Sequence, residues 1–195
     1  MSTYKYFTGE YFADSYLMYN YLDELRLRTG NERSGTKFFS RNNKRKAESM
    51  KFGWTWRKKC GEGEREFDKE VGLYKTVLMK ENPDLIDMFR EYANYHFPDF
   101  KWTEITINRM PEGTSINLHK DKKNVGESIL LAFGDYKGGL TYVRENDRHY
   151  KMYDARDSIV KFNGAEIRHG VTTVCEGTRF SLVFYNNVYK KMNNY

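Results

Sequence analysis

Eight short β-like runs, crowded into the second half of the chain, constrain its fold more than any other feature. From residue 101 onward, segments of seven to nine residues alternate in polarity or are rich in Ile, Val, Phe and Tyr, and turn signals divide them. The runs are WTEITINRM, TSINLHKD, SILLAFGD, GLTYVREN, HYKMYDA, SIVKFNG, IRHGVTTV and RFSLVFYN. This many strands in so short a segment predicts an antiparallel double-sheet barrel, the double-stranded β-helix of the jelly-roll or cupin type.

The first hundred residues read differently. Helical spacing of apolar residues predicts helices over 10–28 and 83–97, the second with Pro83 in its first turn. Residues 36–59 are predicted to form one or two strands, and residues 60–68 a loop. We find no internal repeat and no clear linker. We therefore expect one α+β domain over residues 1–195. Residues 1–100 are predicted to form a helical support whose helices pack on one sheet. Residues 101–187 are predicted to form the barrel core.

The positive charge of the chain is concentrated in one segment. The net charge is +6, yet residues 26–59 hold twelve basic and two acidic residues, a local charge of +10 that leaves −4 for the remainder. Five aromatic residues are interleaved with these charges: Phe38, Phe39, Phe52, Trp54 and Trp56. Because cations pair with phosphates and flat rings stack on bases, this insert favours contact with nucleic acid. Its candidate phosphate contacts are Arg41, Lys44, Arg45 and Lys46. The alternative is a solvated loop or hairpin whose charges only keep it soluble.

Composition narrows the class of protein further. At 195 residues the chain can bury a sizeable core, and an aromatic content of 16% argues against disorder. No apolar run approaches a membrane span, the N-terminus lacks a signal-peptide pattern, and two cysteines cannot build a disulfide framework. We therefore expect an intracellular protein, nuclear or cytoplasmic, that has no membrane partner and is monomeric. A small stand-alone chain of this kind would suit a virus or a protist.

A possible metal site lies within the predicted barrel. His119 and Asp121 are two positions apart, so on a strand their side chains share one face. His169 follows 50 positions later, near a predicted strand end. Two imidazoles and one carboxylate form the facial triad of non-haem Fe(II) oxygenases, which leaves three coordination positions open. These three residues are the predicted metal ligands.

A buried cation is predicted beside this site. Arg179 lies ten residues beyond His169, inside an otherwise apolar strand, and an arginine there needs an anion. The alternative partner is a core-edge Asp or Glu. Ser181 shares the same strand face as Arg179. Asn108 lies on the predicted strand before His119. Its side-chain amide lies near the metal or, alternatively, forms hydrogen bonds with backbone groups at a strand edge.

Together these residues resemble the Fe(II)/2-oxoglutarate-dependent dioxygenases over roughly residues 100–187. The details are most similar to the branch that oxidises pyrimidine C5-methyl groups, the TET 5-methylcytosine dioxygenases and the thymine hydroxylases of base-J synthesis. The stretch from His119 to Asn124 is similar to that branch's extended motif, in which the asparagine contacts the target base. The segment Gly134-Asp135-Tyr136-Lys137-Gly138-Gly139-Leu140 looks like a turn common in small TET-like proteins.

The resemblance implies an enzyme and its cofactors. Fe(II) would be held by His119, Asp121 and His169. Arg179 would bind the distal carboxylate of 2-oxoglutarate, helped by Ser181, and Asn108 would touch the cosubstrate carboxylate near the metal. O₂ would be the second cosubstrate. The substrate would be nucleic acid, most readily DNA, with 5-methylcytosine converted to 5-hydroxymethylcytosine or thymine hydroxylated. For Asn124, capping of a turn before Gly126 is the alternative to base contact.

Other branches of the same fold remain alternatives. Asn108-Arg109-Met110-Pro111-Glu112-Gly113 resembles a strand of the AlkB-type nucleic-acid dealkylases, with Met110 in place of their tyrosine. Tyr185 stands where those enzymes tend to carry a second arginine. A hydroxylase of a protein side chain or small molecule also fits the fold, although the prolyl-hydroxylase group usually has lysine at the position of Arg179. A catalytically dead binding module is disfavoured by the intact set of ligands.

Overall fold

The computed structural model describes residues 18, 20, 22–23, 38–40, 47–55, 58–60, 63–146, 149–156 and 158–187. Within them, two antiparallel sheets enclose a cavity. The large sheet has the order β13 (Val160–Phe162), β9 (Asn124–Phe133), β15 (Val174–Asn187), β7 (Glu104–Pro111), β2 (Glu48–Thr55), β6 (Leu73–Lys75) and β5 (Phe67–Asp68), and β10 (Tyr136–Gly138) pairs with β15. The small sheet has the order β1 (Phe38–Ser40), β8 (Thr114–His119), β14 (His169–Val171), β11 (Thr141–Arg144) and β12 (Tyr150–Tyr153). All eight predicted runs contain a strand, and the expected fold class is confirmed.

Alternation of side chains gives the large sheet two distinct faces. One, which we call the helix face, carries apolar residues that join the main core; the set is Met50, Phe52, Trp54, Ile105, Ile107, Ile129, Leu131, Phe133, Phe180, Leu182 and Phe184. Residues at the intervening positions point to the opposite side, the cavity face, which looks toward the small sheet. A polar residue in these strands therefore faces the cavity whenever its neighbours fill the core.

Two helices pack against the helix face. Helix α1 (Val77–Glu81), which the sequence patterns did not predict, begins after Thr76, whose hydroxyl accepts a hydrogen bond from the Met79 amide. Helix α2 (Leu85–His96) confirms the helix predicted over 83–97, with slightly shorter ends. Phe89 of α2 is fully buried, and its ring meets those of Phe52 and Phe184 edge-on at 5.0 and 6.3 Å. Burial of a side chain of this size contributes about 1.5–3 kcal/mol.

Two aromatic residues in the described part of the basic insert do not have the role expected from the sequence. Phe52 and Trp54, two of the rings proposed to stack on bases, lie in the core at 0% and 6% exposure, so that interpretation is wrong for both. They are buried because β2 pairs with β7 and turns these positions toward α2. Arg41, Lys44, Arg45 and Lys46 lie outside the described residues.

Two other expectations also change in detail. Residues 60–68 are not a plain loop, because β3 (Lys59–Cys60) pairs with β4 (Gly63–Glu64), and β5 pairs with β6. Asp68 closes this region by accepting a 2.8 Å hydrogen bond from the Trp54 indole. Of the helix expected over 10–28, residues 18, 20, 22 and 23 are described and all are helical. Among the helices of the described residues, none is long and apolar enough to cross a membrane.

Candidate metal centre

The three predicted metal ligands converge at one end of the small sheet. Strand β8 ends at His119, Asp121 follows it, and β14 begins at His169, directly opposite His119 in the strand register. Their ligand atoms all lie within 4.8 Å of one another. Asp121 Oδ2 is 3.3 Å from His169 Nε2, and Asp121 Oδ1 is 3.7 Å from His119 Nε2. Strand pairing thus brings together residues 50 positions apart.

Backbone carbonyls orient both imidazoles for metal binding. Nδ1 of His119 is 2.7 Å from the carbonyl of Asn117, and Nδ1 of His169 is 3.0 Å from the carbonyl of Ile167. A carbonyl only accepts, so each Nδ1 carries the proton and donates it. Each Nε2 then presents a lone pair to the site shared with Asp121. Two imidazoles and a carboxylate in this arrangement fit Fe(II).

The ligands open into a cavity of about 570 Å³ between the sheets. This is a size typical of small-molecule sites. Its apolar wall is formed by Ile116, Leu130, Phe162, Val171 and Val183, and its polar wall includes Asn108, Thr141 and Ser181. The ring of Phe162 lies 4.6 Å from that of His169 and places an apolar group against this side of the ligand cluster.

Arg179 is a fully buried cation behind the cavity wall. Its Nη2 donates to Thr141 Oγ1 at 3.3 Å and its Nη1 to the sulfur of Met110 at 3.7 Å, while Nε has no hydrogen-bond partner. No Asp or Glu forms a salt bridge with it in the described part of the chain. Burial lowers the pKa of the guanidinium, and Tyr136 and then the carboxylate of Asp154 act against that shift. A buried charge with no direct salt bridge is costly, so the site fits a ligand carboxylate reaching Arg179 beside Thr141.

The turn around Gly139 holds this arginine in place. A Cβ on Gly139 would lie 2.9 Å from Cδ of Arg179 and 3.2 Å from the Tyr136 ring, and its φ is +61°. Burial raises the pKa of Tyr136 to about 12, so its hydroxyl stays neutral beside the guanidinium. Pattern reasoning found the Gly138-Gly139 turn but missed Thr141 and Met110 as the partners of Arg179.

Three other predicted site residues that the structure describes, Asn108, Ser181 and Asn124, also line the cavity. Asn108 on β7 and Ser181 on β15 are opposite each other in register, and the amide of Asn108 donates to the Ser181 hydroxyl at 3.2 Å. Both are buried. Asn124 lies at the start of β9, where its amide donates to Ser128 Oγ at 3.3 Å. Lys51, inside the basic insert, also lines the cavity, but the sequence did not single it out.

Comparison with known proteins places this geometry in a class. No model of a known family matches the chain. One curated relative, Tet-like dioxygenase 1 of Naegleria gruberi, is 27% identical over 77 residues, which is 40% of this chain. The match spans about a quarter (24%) of that relative's length.

Solved structures share the fold over most of the chain. An oxidoreductase of the 2OG-Fe(II) oxygenase family from Burkholderia pseudomallei superposes with a TM-score of 0.54 at 19% identity, over 87% of this chain and 77% of its own. OsALKBH1 gives 0.54 at 15% identity, over 94% and 97%. A Pseudomonas putida prolyl-4-hydroxylase gives 0.54 at 12% identity, over 95% and 92%. At sequence identities this low, these matches show that the fold is shared and show nothing about function.

Fold and ligand set together define the class. The chain has the fold of the 2-oxoglutarate- and Fe(II)-dependent oxygenases, and its His-Asp-His cluster and buried arginine fit the two cofactors expected from the sequence. The fold expected from residues 100–187 is therefore confirmed. The curated relative that matches by sequence is a Tet-like dioxygenase, in agreement with the branch inferred from the motifs.

Proposed function

We propose that this chain is an Fe(II)- and 2-oxoglutarate-dependent dioxygenase that oxidises the C5-methyl group of a pyrimidine in nucleic acid, with DNA as the preferred substrate. One observation carries the chemistry. Three metal-donor atoms face a cavity that ends beside a buried guanidinium, which forms no salt bridge within the described residues. A metal-chelating dicarboxylate is the ligand that satisfies both ends of such a cavity.

Each residue of the cavity then has a defined task. His119, Asp121 and His169 would hold Fe(II), their Nε2 and carboxylate atoms already directed to a common point. Arg179, with Thr141 beside it, would bind the distal carboxylate of 2-oxoglutarate. Bound together, these two cofactors would activate O₂, so that one oxygen atom enters a substrate C–H bond and the other enters succinate as 2-oxoglutarate loses CO₂. The protein positions the substrate and keeps water out.

The substrate class rests on different observations. The sequence relative is a Tet-like dioxygenase, and Asn124 lies in the cavity next to the turn that carries Asp121. Asn124 would contact the target base there, from the position that its hydrogen bond to Ser128 holds. Because a duplex hides its bases, the target nucleotide would be flipped into the cavity.

An AlkB-like dealkylase is the second candidate, favoured by Asn108 on the cavity face of β7. In the rest of that motif, Arg109 pairs with Glu48 at 2.8 Å, whereas Met110 contacts the site residue Arg179. Tyr185, which also lines the cavity, is held by a 2.7 Å hydrogen bond to buried Glu104. Arg109 thus has a structural task, and a tyrosine stands where the dealkylases tend to carry a second arginine, which leaves methyl oxidation as the better-supported reaction.

Activity is tested on loaded protein. Fe(II) and 2-oxoglutarate are added without oxygen and binding is followed by absorption, after which oxygen is admitted with oligonucleotides that contain 5-methylcytosine, thymine alone, or N-methylated bases. We expect succinate together with an oxidised C5-methyl group by mass spectrometry. Demethylation of the N-methylated bases alone would favour the dealkylase. Failure to oxidise any of these oligonucleotides would exclude the proposed substrate class.

A histidine pair tests the metal ligands. His119→Ala is expected to lose bound iron, because it removes one of three donors. His149→Ala is the matched control, since His149 is exposed and its Nδ1 contacts Asn146 at 2.9 Å, away from the cluster. Iron is measured by elemental analysis after gel filtration. Equal iron in both variants would contradict the assignment.

A further inference from the structure

A short turn carries two lysines to the mouth of the cavity. The backbone N–H of Asn124 donates to the backbone carbonyl of Asp121 at 2.9 Å, and the backbone N–H of Asp121 donates to the backbone carbonyl of Gly164 at 2.7 Å. Asp121 and Asn124 therefore fix both ends of the turn, and Lys122 and Lys123 occupy its two central positions. Both lysines are exposed and both line the cavity. Their position follows from the backbone that places the metal ligand Asp121.

The charges around the cavity are unbalanced. The lining residues include four lysines (Lys51, Lys120, Lys122 and Lys123) and a single carboxylate, Asp121. Lys51 is already paired with Glu104 at 2.9 Å, and Asp121 belongs to the metal cluster. Lys120, Lys122 and Lys123 form no salt bridge within the described residues. The exposed end of the cavity thus carries positive charge that no described acid neutralises.

The distal carboxylate of 2-oxoglutarate does not account for these lysines. Its proposed partner, Arg179, is fully buried behind Thr141, whereas the lysines lie at the exposed end. The ligand that meets them must therefore enter from solvent and carry negative charge on its outer part. Beyond the lysines, the cavity offers an apolar wall that includes Ile116 and Leu130. A nucleotide combines these properties, since its base is a flat ring and its phosphate is an external anion.

We infer that Lys122 and Lys123 bind a backbone phosphate of the substrate strand, so that the turn holding Asp121 also anchors the nucleotide whose base enters the cavity. Lysine binds phosphate as a flexible point charge, which suits an exposed turn. The inference rests on the proposed nucleic-acid substrate. It assigns phosphate binding to the rim of the cavity itself, in addition to any contact made by the basic insert.

A charge-matched pair of double variants tests this assignment. Lys122→Gln/Lys123→Gln removes the two turn cations. Lys69→Gln/Lys80→Gln removes two exposed lysines outside the cavity lining and changes the net charge equally. Binding of a single-stranded 5-methylcytosine oligonucleotide is measured without oxygen on protein loaded with Fe(II) and 2-oxoglutarate, over a range of salt concentrations. We expect the turn variant alone to bind more weakly, with a salt slope reduced by about 0.7 for the one phosphate that is no longer neutralised.

An oligonucleotide with an uncharged backbone tests the phosphate contact independently. An oligonucleotide with methylphosphonate linkages flanking the target base is expected to bind the wild-type protein more weakly than its charged counterpart. The Lys122→Gln/Lys123→Gln variant should show little of that difference, because the cations that sense the charge are gone. Equal discrimination by both proteins would overturn the inference, as would equal salt slopes in the two double variants.

These experiments distinguish failure of the phosphate site from failure of the proposed oxidation reaction. If the wild-type protein oxidises DNA and the two double variants behave alike, the inference is wrong and the proposed function stands. If the wild-type protein binds DNA through Lys122 and Lys123 but oxidises no base, the proposed reaction is wrong and the phosphate site stands. If it binds no oligonucleotide at all, both are wrong. Retention of Fe(II) and 2-oxoglutarate in the turn variant shows that loss of DNA binding is not loss of the metal site.

Discussion

At the scale of single residues, backbone groups do much of the positioning. The carbonyls of Asn117 and Ile167 select the imidazole tautomers that His119 and His169 need in order to offer Nε2 to a metal. Because Gly139 has no side chain, there is room for Arg179 beside it. Side chains that carry chemistry here therefore depend on the local path of the chain as well as on their own identity.

Gly139→Ala is expected to weaken 2-oxoglutarate binding. Its new methyl group would lie 2.9 Å from Cδ of Arg179, so the guanidinium must move. The control is Gly72→Ala, which has a similar φ of +73° but nothing within 4 Å of the added carbon. Both variants lose about 1–2 kcal/mol of stability to left-handed strain. The KM for 2-oxoglutarate should rise in Gly139→Ala alone, and an equal KM in both would contradict the packing role of Gly139.

At the scale of elements, strand alternation separates core from site. On β15, Phe180, Leu182 and Phe184 fill the helix face, while Arg179 and Ser181 face the cavity side. A shift of β15 by one residue would exchange these two sets and bury the wrong groups. The stability of the core and the geometry of the site therefore depend on the same strand register.

Replacing Phe89 in α2 tests how far the helix supports this sheet. Phe89→Ala removes a fully buried ring that contacts Phe52 and Phe184, and we expect a loss of about 3–5 kcal/mol in the free energy of unfolding, measured with urea. Tyr95→Ala, on the same helix but 63% exposed, should cost far less. Comparable losses in the two variants would show that α2 does not anchor the helix face.

At the scale of the whole molecule, the site is assembled from both sheets. The histidines His119 and His169 come from the small sheet, and Arg179 comes from the large one. A ligand that reaches both groups therefore links the sheets across the cavity. Binding of the two cofactors should stabilise the folded protein as a unit.

Ligand-dependent stability measures that link. With Mn(II) in place of Fe(II), 2-oxoglutarate at a hundred times its Kd should contribute about 2.7 kcal/mol, a rise in Tm of about 5–10 °C. Arg179→Met should lose this rise without lowering the Tm of the ligand-free protein, because it replaces a buried charge that forms no salt bridge within the described residues with an apolar side chain. Arg90→Gln, which removes an exposed arginine on α2, should retain the rise. A full rise in Arg179→Met would exclude Arg179 as the carboxylate partner.

Local pattern was sufficient for much of this molecule. The eight runs after residue 101, the helix over 83–97 and the residue pair His119 and Asp121 were all readable, because alternation and spacing depend on near neighbours in the chain. The isolated arginine in an apolar strand was readable for the same reason. These features identify the barrel and its candidate ligands before any contact is known.

Long-range pairing determined the rest. Strand β2 joins the large sheet beside β7, which buries Phe52 and Trp54 although their charged neighbours predicted exposed rings. Pairing of β14 with β8 sets His169 opposite His119, and Thr141 and Met110 reach Arg179 from separate strands. Such contacts depend on which distant strands pair and in what register, and that choice follows from the free energy of packing the whole core, which no single segment contains.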